Sequence, residues 1–496
     1  MWKNIERIIF YSVIILVSFI LLCVGNYLPM IDLPQHAAQV STFNDLVKGQ
    51  SLWGGFVEYN WFTPYLTCYG LWFLIYQFFD IVTASRIIIT ISFLLYIYSF
   101  ILLRKSYHAE KILDWVCIPS FFGFAYYYGF VTFLMSIPIG IFYFIIFRKF
   151  IENKINKYNF YFIVLGFVLF FSHVLSFLFF TLLSFAHLIE KERGKFYKYL
   201  IPFFIFIIPL AFYLLKGDEL DTQYTYGENK WGTIFPQRVL ELFLNVWNLN
   251  SPVFYIYMFC TLILLIIPFA MGYKLSKNSE RYVPVVILLI CWFSLPLLYN
   301  NIYFIYNRFT LVFFGFYYLI FVKKNENENF SKNFLIFSSS LFYLILFYLV
   351  LKVFLNIIYF SKENENFSKF INEIPEGKTA ISLPLLNSSL VIESIYTYVH
   401  FPLWYQAERK GWVDYNFAWA SPQIVRFKKD KTPEVGPGFE WDVGRFTQLK
   451  NCNYYDYLII RGDNYPLILK FIKDSNCNNY KISHGYGNWY AFKRID

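Results

Sequence analysis

Apolar runs long enough to cross a bilayer recur from residue 8 to residue 355, and no other feature narrows the fold of this chain as much. A helix needs ~20 largely apolar residues to cross the ~30 Å of hydrocarbon in a membrane. The runs are 8–26, 65–83, 86–103, 115–131, 133–147, 159–188, 199–215, 252–273, 282–299, 302–322 and 333–355. Inside lipid every backbone N–H and C=O must find its partner within the protein, so such runs fold as helices. Composition agrees, with 57% hydrophobic and 15% charged residues where soluble domains hold roughly 45–50% and 25%. An ordinary soluble enzyme, a disordered chain and a fibre are all excluded. The sequence predicts an all-α polytopic membrane bundle of about 10–13 transmembrane helices over residues 1–360. A C-terminal external α/β domain over 361–496 follows it.

Loop charge assigns the sides. Residues 1–360 carry 26 Lys and Arg against 18 Asp and Glu, while 361–496 are nearly balanced at 17 against 15. The surplus lies in short loops at 148–157, 191–198, 274–281 and 323–332, which the positive-inside rule puts in the cytoplasm. Segment 216–251, with Asp218, Glu219, Asp221, Glu228 and Glu241, then falls outside. Lys3 and Arg7 precede the first run, which reads as a signal anchor with a cytoplasmic N-terminus. The expectation is a multi-pass protein of the inner (plasma) membrane, with a first external loop at 27–64 and residues 361–496 also outside. From residue 149 onward the alternation closes if 159–188 breaks near His173 and returns to its starting side. Between 65 and 148 it fails by one span. Either a short segment there is re-entrant, or Arg104–Lys111 is an external basic loop.

Beyond residue 360 the pattern changes to strand-like runs at 378–386, 389–399, 412–419, 455–461 and 481–493. Tyr455–Arg461, Pro466–Lys473 and Tyr480–Ser483 read as strand, helix, strand. Cys452 and Cys477 precede the two strands. If those strands are parallel neighbours, both thiols lie at one sheet end and form a disulfide candidate in an oxidising compartment. Free surface thiols are the alternative. The other five cysteines lie in or beside apolar runs, and no metal-ligand spacing exists.

The first external loop is the most informative polar segment. Leu33, Ala37, Val40, Phe43 and Val47 recur at helical spacing, with Gln35, His36, Gln39, Thr42 and Asn44 on the other face. That pattern predicts a helix lying in the membrane interface. Asp32 precedes Pro34 and is followed three residues on by Gln35, the arrangement of a capping-box N-cap. A carboxylate just beyond the first span also stands at lipid-headgroup height. His36, one turn on, shares its face. It reads either as an orienting group or as an exposed interfacial histidine. Glu58 and Trp61 follow in an aromatic stretch whose rings suit headgroup anchoring or sugar stacking.

Two more ionisable residues interrupt apolar runs. His173 stands at Phe170-Phe-Ser-His173, as a helix break lining a cavity or as a packing histidine. Arg308 follows Tyr303-Phe-Ile-Tyr-Asn307 at the external end of a run. A charge near membrane depth is a functional candidate, and a planar guanidinium suits phosphate oxygens. Snorkelling to lipid phosphates is the alternative. No Ser–His–Asp order, Walker loop or cysteine cluster supports a hydrolase or a nucleotide-binding protein.

Asp32-Leu-Pro-Gln-His36, Tyr128-Gly-Phe-Val-Thr-Phe133, Ser172-His173-Val-Leu-Ser176 and Asn307-Arg308-Phe309, set in this architecture, resemble the layout of the GT-C superfamily. These are integral membrane glycosyltransferases that use polyprenyl-phosphate-linked sugars. The resemblance implies transfer of a sugar, with inversion, from such a donor to a cell-envelope glycan, lipid or protein, without nucleic acid. It implies Asp32 as general base, and His36, Glu58, Trp61, His173, Tyr303 and Arg308 as substrate-binding residues. It fixes no cofactor, and a divalent cation is the one to consider. One departure stands out. The family's first loop often carries two acids close together, whereas here Asp45 and Glu58 are the next after Asp32. Two other readings stay open: a transporter or flippase of a lipid-linked or small substrate, and a non-catalytic envelope assembly protein that binds a partner through 361–496.

Overall fold

The computed structural model of the chain describes residues 2–153, 155–219, 229–247, 254–299, 302–323, 331–392, 396–419, 422–433, 435–449 and 452–495. Parts of the segments 148–157, 216–251, 252–273, 323–332 and 389–399 singled out above therefore lie outside the described residues. Among those described, five helices are long and apolar enough to cross a membrane: Asn4–Cys23, Ile81–Ser106, Val131–Asn153, Val174–Tyr199 and Lys332–Glu363. Shorter apolar helices occupy Leu66–Tyr76, Lys157–Phe170, Ile201–Tyr213, Tyr255–Ala270 and Val283–Ser294. The chain is a membrane-embedded, mostly helical protein with a small C-terminal sheet domain, as its sequence predicts. It divides into two compact units. A helical unit is drawn from Met1–Leu21, Ile89–Lys216 and Thr225–Leu355, and a sheet unit chiefly from Leu22–Ile88 and Asn356–Asp496.

In the helical unit small residues bring helices close. An added Cβ on Gly140 would lie 2.0 Å from Phe180 Cδ2. One turn earlier, Ser136 Oγ sits 2.6 Å from Ser176 Oγ. Close backbone approach of this kind replaces the hydrophobic drive that lipid removes. The run 159–188 breaks as expected, into Asn156–Phe170 and Val174–Glu192, with His173 at the joint. Two other runs are not single spans. Residues 115–131 lie in the short helices Ile112–Ser120 and Phe124–Tyr128, divided near Pro119 and Gly123. Residues 302–322 form 3-10 turns at Asn307–Val312 and Tyr318–Ile320 around a five-residue helix, Phe313–Tyr317. Hydropathy misleads there because Phe309, Val312, Phe314, Phe316 and Leu319 are buried in protein. An apolar run wrapped by protein has no need to be one continuous helix.

The sheet unit is built on five strands in the order Tyr480–Tyr486, Trp489–Arg494, Tyr457–Arg461, Thr379–Pro384 and Trp412–Asp414. Thr379–Pro384 pairs in parallel with both of its neighbours, while Trp489–Arg494 is antiparallel to both of its own. Tyr457–Arg461 is buried throughout, the pattern of a strand covered on both faces. Helix Tyr465–Asp474, capped by Asn464 on the Leu467 N–H (3.1 Å), lays Ile468 and Ile472 onto this sheet beside Ile381, Leu458 and Phe492. Residues 481–493, read as one strand, form a hairpin instead, because Gly487 takes a left-handed conformation (φ 58°) and turns the chain. Consequently Tyr457–Arg461 and Tyr480–Tyr486 run parallel but are not neighbours. Cys452 and Cys477 form a disulfide with Cα atoms 5.5 Å apart. Within 412–419 only Trp412–Asp414 is strand, and none occurs among the described residues of 389–399.

Candidate functional site

The helix Leu33–Val47 exists where the sequence predicts it, but not in the predicted setting. Every residue from Leu33 to Asp45 is buried. The apolar face packs in the sheet unit, and the polar face is read by backbone of the C-terminal segment. Gln35 Nε2 donates to the Tyr415 carbonyl (3.2 Å), and its Oε1 accepts from the Phe417 N–H (2.9 Å). Gln39 Oε1 accepts from the Val425 N–H (2.8 Å), and Ser41 donates to the Ala407 carbonyl (2.8 Å). Such bonds satisfy backbone groups that would otherwise be buried unpaired.

Asp32 begins this helix without capping it through its side chain, and Gln35 is engaged elsewhere, so the predicted capping box does not form. Its carboxylate turns to His400 instead, Oδ1 lying 2.8 Å from Nδ1, with both residues buried (5% and 3% exposed). Nε2 of His400 is also buried and has no hydrogen-bond partner among the described residues. The ring stands edge-on to Phe417 (6.0 Å between centroids) and Trp441 (5.6 Å). Two further acids stand close by. Burial pushes the Asp414 carboxyl up to about 6, against hydrogen bonds from Trp412 and Tyr455. Burial also raises Glu440, with the nearby His400 opposing the shift. Glu440 Oε2 accepts from the Gly438 N–H (3.0 Å), while its Oε1 is buried without a partner.

His36 is buried rather than interfacial. Its Nδ1 lies 2.7 Å from the Tyr69 hydroxyl, which donates in turn to Gln423 Oε1 (2.5 Å). Glu58 pairs with Arg426 (2.9 Å) across the two-stranded ladder Val57–Tyr59 with Val425–Phe427. Trp61 is 56% exposed and meets Phe43 edge-on at 5.3 Å. These residues belong to the sheet unit, as Asp32 does.

Arg308, His173 and Tyr303 come together in the helical unit. His173 has extended backbone (φ −173°) and caps helix Val174–Glu192, its Nδ1 accepting from the Leu175 N–H at 3.2 Å. That bond uses the Nδ1 lone pair, so the ring proton sits on Nε2. Nε2 lies 3.3 Å from Arg308 Nη1. Two donors thus stand side by side, an arrangement that suits an anion's oxygen. Arg308 Nη2 donates to the Tyr303 carbonyl (3.0 Å), and the guanidinium lies over the Phe130 ring at 3.8 Å. Gly129 (φ 88°) ends helix Phe124–Tyr128 in a left-handed turn that delivers Phe130 to this place. Phe133 meets both His173 (5.3 Å) and Phe309 (5.9 Å). Three of the four sequence motifs therefore converge on one cluster.

His400, Asp414 and Glu440 were not foreseen. His400 lies in Tyr398-Val-His400-Phe401, where an ionisable group inside an apolar run was the available signal. Among the described residues no group of three or more His, Cys, Asp or Glu side chains is placed to hold a metal ion.

No protein-family model and no curated protein sequence matches this chain. Two solved structures do, both of ArnT from Cupriavidus metallidurans, one bound to undecaprenyl phosphate and one in the apo state. The first superposes with a TM-score of 0.53 at 10% identity and covers 99% of this chain and 98% of that one. The apo form gives the same TM-score and identity over 100% and 99%. The chain thus has the fold of ArnT along its whole length.

Proposed function

We propose that this protein is a GT-C glycosyltransferase that moves a sugar, with inversion, from a polyprenyl-phosphate donor to a cell-envelope acceptor. The observation that carries this reading is the buried, histidine-held Asp32 carboxylate at the head of Leu33–Val47, in a chain that follows the ArnT fold from end to end. Undecaprenyl phosphate was bound in one of the ArnT structures, which supports a lipid phosphate of that class as the donor's carrier here.

Inverting transfer needs a base for the acceptor hydroxyl and donors for the departing phosphate. Asp32 takes the hydroxyl proton. The hydroxyl oxygen bonds to the anomeric carbon, and the bond from that carbon to the phosphate oxygen breaks with its electron pair. In the helical unit, Arg308 and the Nε2–H of His173, 3.3 Å apart, are donors suited to a lipid phosphate. The apolar face of a sugar ring suits an exposed aromatic ring such as Trp61, and its hydroxyls suit polar neighbours in the same unit such as Glu58 and His36.

The test is transfer by the purified full chain from undecaprenyl-phosphate-linked pentose or hexose to envelope extracts, followed by mass spectrometry. Asp32→Asn should lower transfer by ~10²–10⁴-fold, the range for losing a general base, while the thermal midpoint stays within a few degrees. Wild-type-level product from that variant overturns the assignment of the base. Donor moved intact across a vesicle membrane, with no new glycosidic bond, supports the transporter reading instead.

A further inference from the structure

We propose that His400 is the positioning residue of Asp32: it holds the carboxylate in one orientation through Nδ1–H. The proposal rests on the transferase reading above and assigns a role to a residue 368 positions away from its partner in the chain.

The geometry of the sheet unit supports it in three ways. First, the contact is short (2.8 Å) and both partners are buried, so water does not compete for it. A carboxylate without such a donor in this setting would carry a full desolvation penalty. Second, the ring is fixed independently of Asp32. Phe417 and Trp441 stand edge-on to it, Tyr415 lies 6.4 Å away, and the His400 carbonyl accepts from the Leu403 N–H at 3.1 Å, where helix Leu403–Arg409 begins. Third, the helix that carries Asp32 also fixes those walls, because Gln35 bonds the backbone of both Tyr415 and Phe417. Carboxylate, imidazole and ring walls are thereby tied together by one side chain, a preorganisation that a base needs if it is to meet the hydroxyl in a single geometry.

Nδ1 carries the proton given to Asp32 Oδ1, and Nε2 is buried, with no hydrogen-bond partner among the described residues. During transfer the hydroxyl proton moves to the Asp32 carboxylate and the imidazole keeps its own. His400 therefore exchanges no proton with the substrate, and an amide that reproduces Nδ1–H can replace it.

The experiment uses the full-length protein, the undecaprenyl-phosphate-linked pentose or hexose that it turns over, and four variants. His400→Ala should lower kcat by about 100-fold, the size of effect expected when a reacting group loses its alignment, with KM within twofold of wild type. His400→Asn, whose amide NH₂ occupies the place of Nδ1–H, should recover kcat to within about tenfold of wild type and keep the thermal midpoint. In the Asp32→Asn background, His400→Ala should cause no further loss, because residues that act as a unit are not additive. The proposal is overturned if His400→Ala keeps wild-type kcat, if its effect lies in KM alone, if His400→Asn is as inactive as His400→Ala, or if the double variant is lower than Asp32→Asn. Wild-type activity in Asp32→Asn itself counts against the transferase reading's base, whatever His400 variants do.

Discussion

Buried arginines separate into two kinds when their partners are compared. Arg238 donates to the carbonyls of Trp231, Phe293 and Leu295 at 2.7–2.8 Å and lies over the Tyr306 ring at 3.9 Å, so it ties irregular backbone together. Arg308 instead stands beside another donor, Nε2–H of His173. Losing a hydrogen bond to a charged group costs ~1.5–3 kcal/mol, so Arg308→Ala should weaken undecaprenyl phosphate binding by roughly 10- to 100-fold, read by titration in detergent. Arg308→Lys should restore only part of this, because an ammonium lacks the planar fork and sits differently on Phe130. Equal affinity in all three proteins would remove Arg308 from the phosphate site. Glu408 offers a prediction of a different kind. Burial, aided by Asp80, pushes its carboxyl up to about 7, while the Tyr27 hydroxyl donates to it at 2.8 Å. A raised carboxyl binds more protons folded than unfolded, so its contribution is fully present below about 4.5 and is lost as pH climbs through about 7. Glu408→Gln should therefore flatten the fall in thermal midpoint across that window and leave the variant the more stable protein at pH 8.

Periodicity revealed the helix Leu33–Val47 but not its environment. Gln35, Gln39 and Thr42 sit at the spacing of a solvated face, and a polar stripe is written the same way whether water or backbone satisfies it. Here the partners are Tyr415, Phe417, Val425 and Gln406, far along the chain. For the same reason Asp32 was legible as a candidate and His400 was not, since no local pattern records a contact across 368 positions. His173 was easier, because a polar residue inside an apolar run marks a helix break in the local sequence. The sheet followed its apolar runs where strands are fully buried, as at Tyr457–Arg461, and departed from them where one glycine, Gly487, turns a run into a hairpin. The disulfide belongs to this scale. Cys452–Cys477 closes a loop with a sequence separation of 25 and joins the start of one strand to the end of helix Tyr465–Asp474. Closing such a loop restricts the unfolded chain by roughly 3 kcal/mol. Cys452→Ser with Cys477→Ser should accordingly lower the midpoint of unfolding in the sheet unit by several degrees, followed by hydrogen exchange at Leu458 and Ile460. Unchanged exchange there would show the bridge to be dispensable.

At the scale of the whole chain, helix Leu66–Tyr76 is the segment to test in the alternation that loop charges left open between 65 and 148. It has 11 residues, about 17 Å at 1.5 Å each, where a crossing needs ~30 Å. It also packs within the sheet unit, Phe73 against Phe43 (5.4 Å) and Gln77 donating to Asn44 (3.1 Å). Taken out of the count, it leaves residues 24–80 on one side. Ile81–Ser106 is then the second crossing, Arg104–Lys111 joins the other basic loops, and 112–130 recrosses as a broken helix before Val131–Asn153 returns. Single cysteines test this in a Cys23→Ser background, where the four remaining free thiols are buried. Leu52→Cys and Leu390→Cys, at sites 62% and 92% exposed, should react with an impermeant maleimide added to intact cells. Lys105→Cys and Lys195→Cys, at exposed sites, should react only after the membrane is opened. Labelling of Lys105→Cys in intact cells would put Arg104–Lys111 outside and return Leu66–Tyr76 to the list of spans.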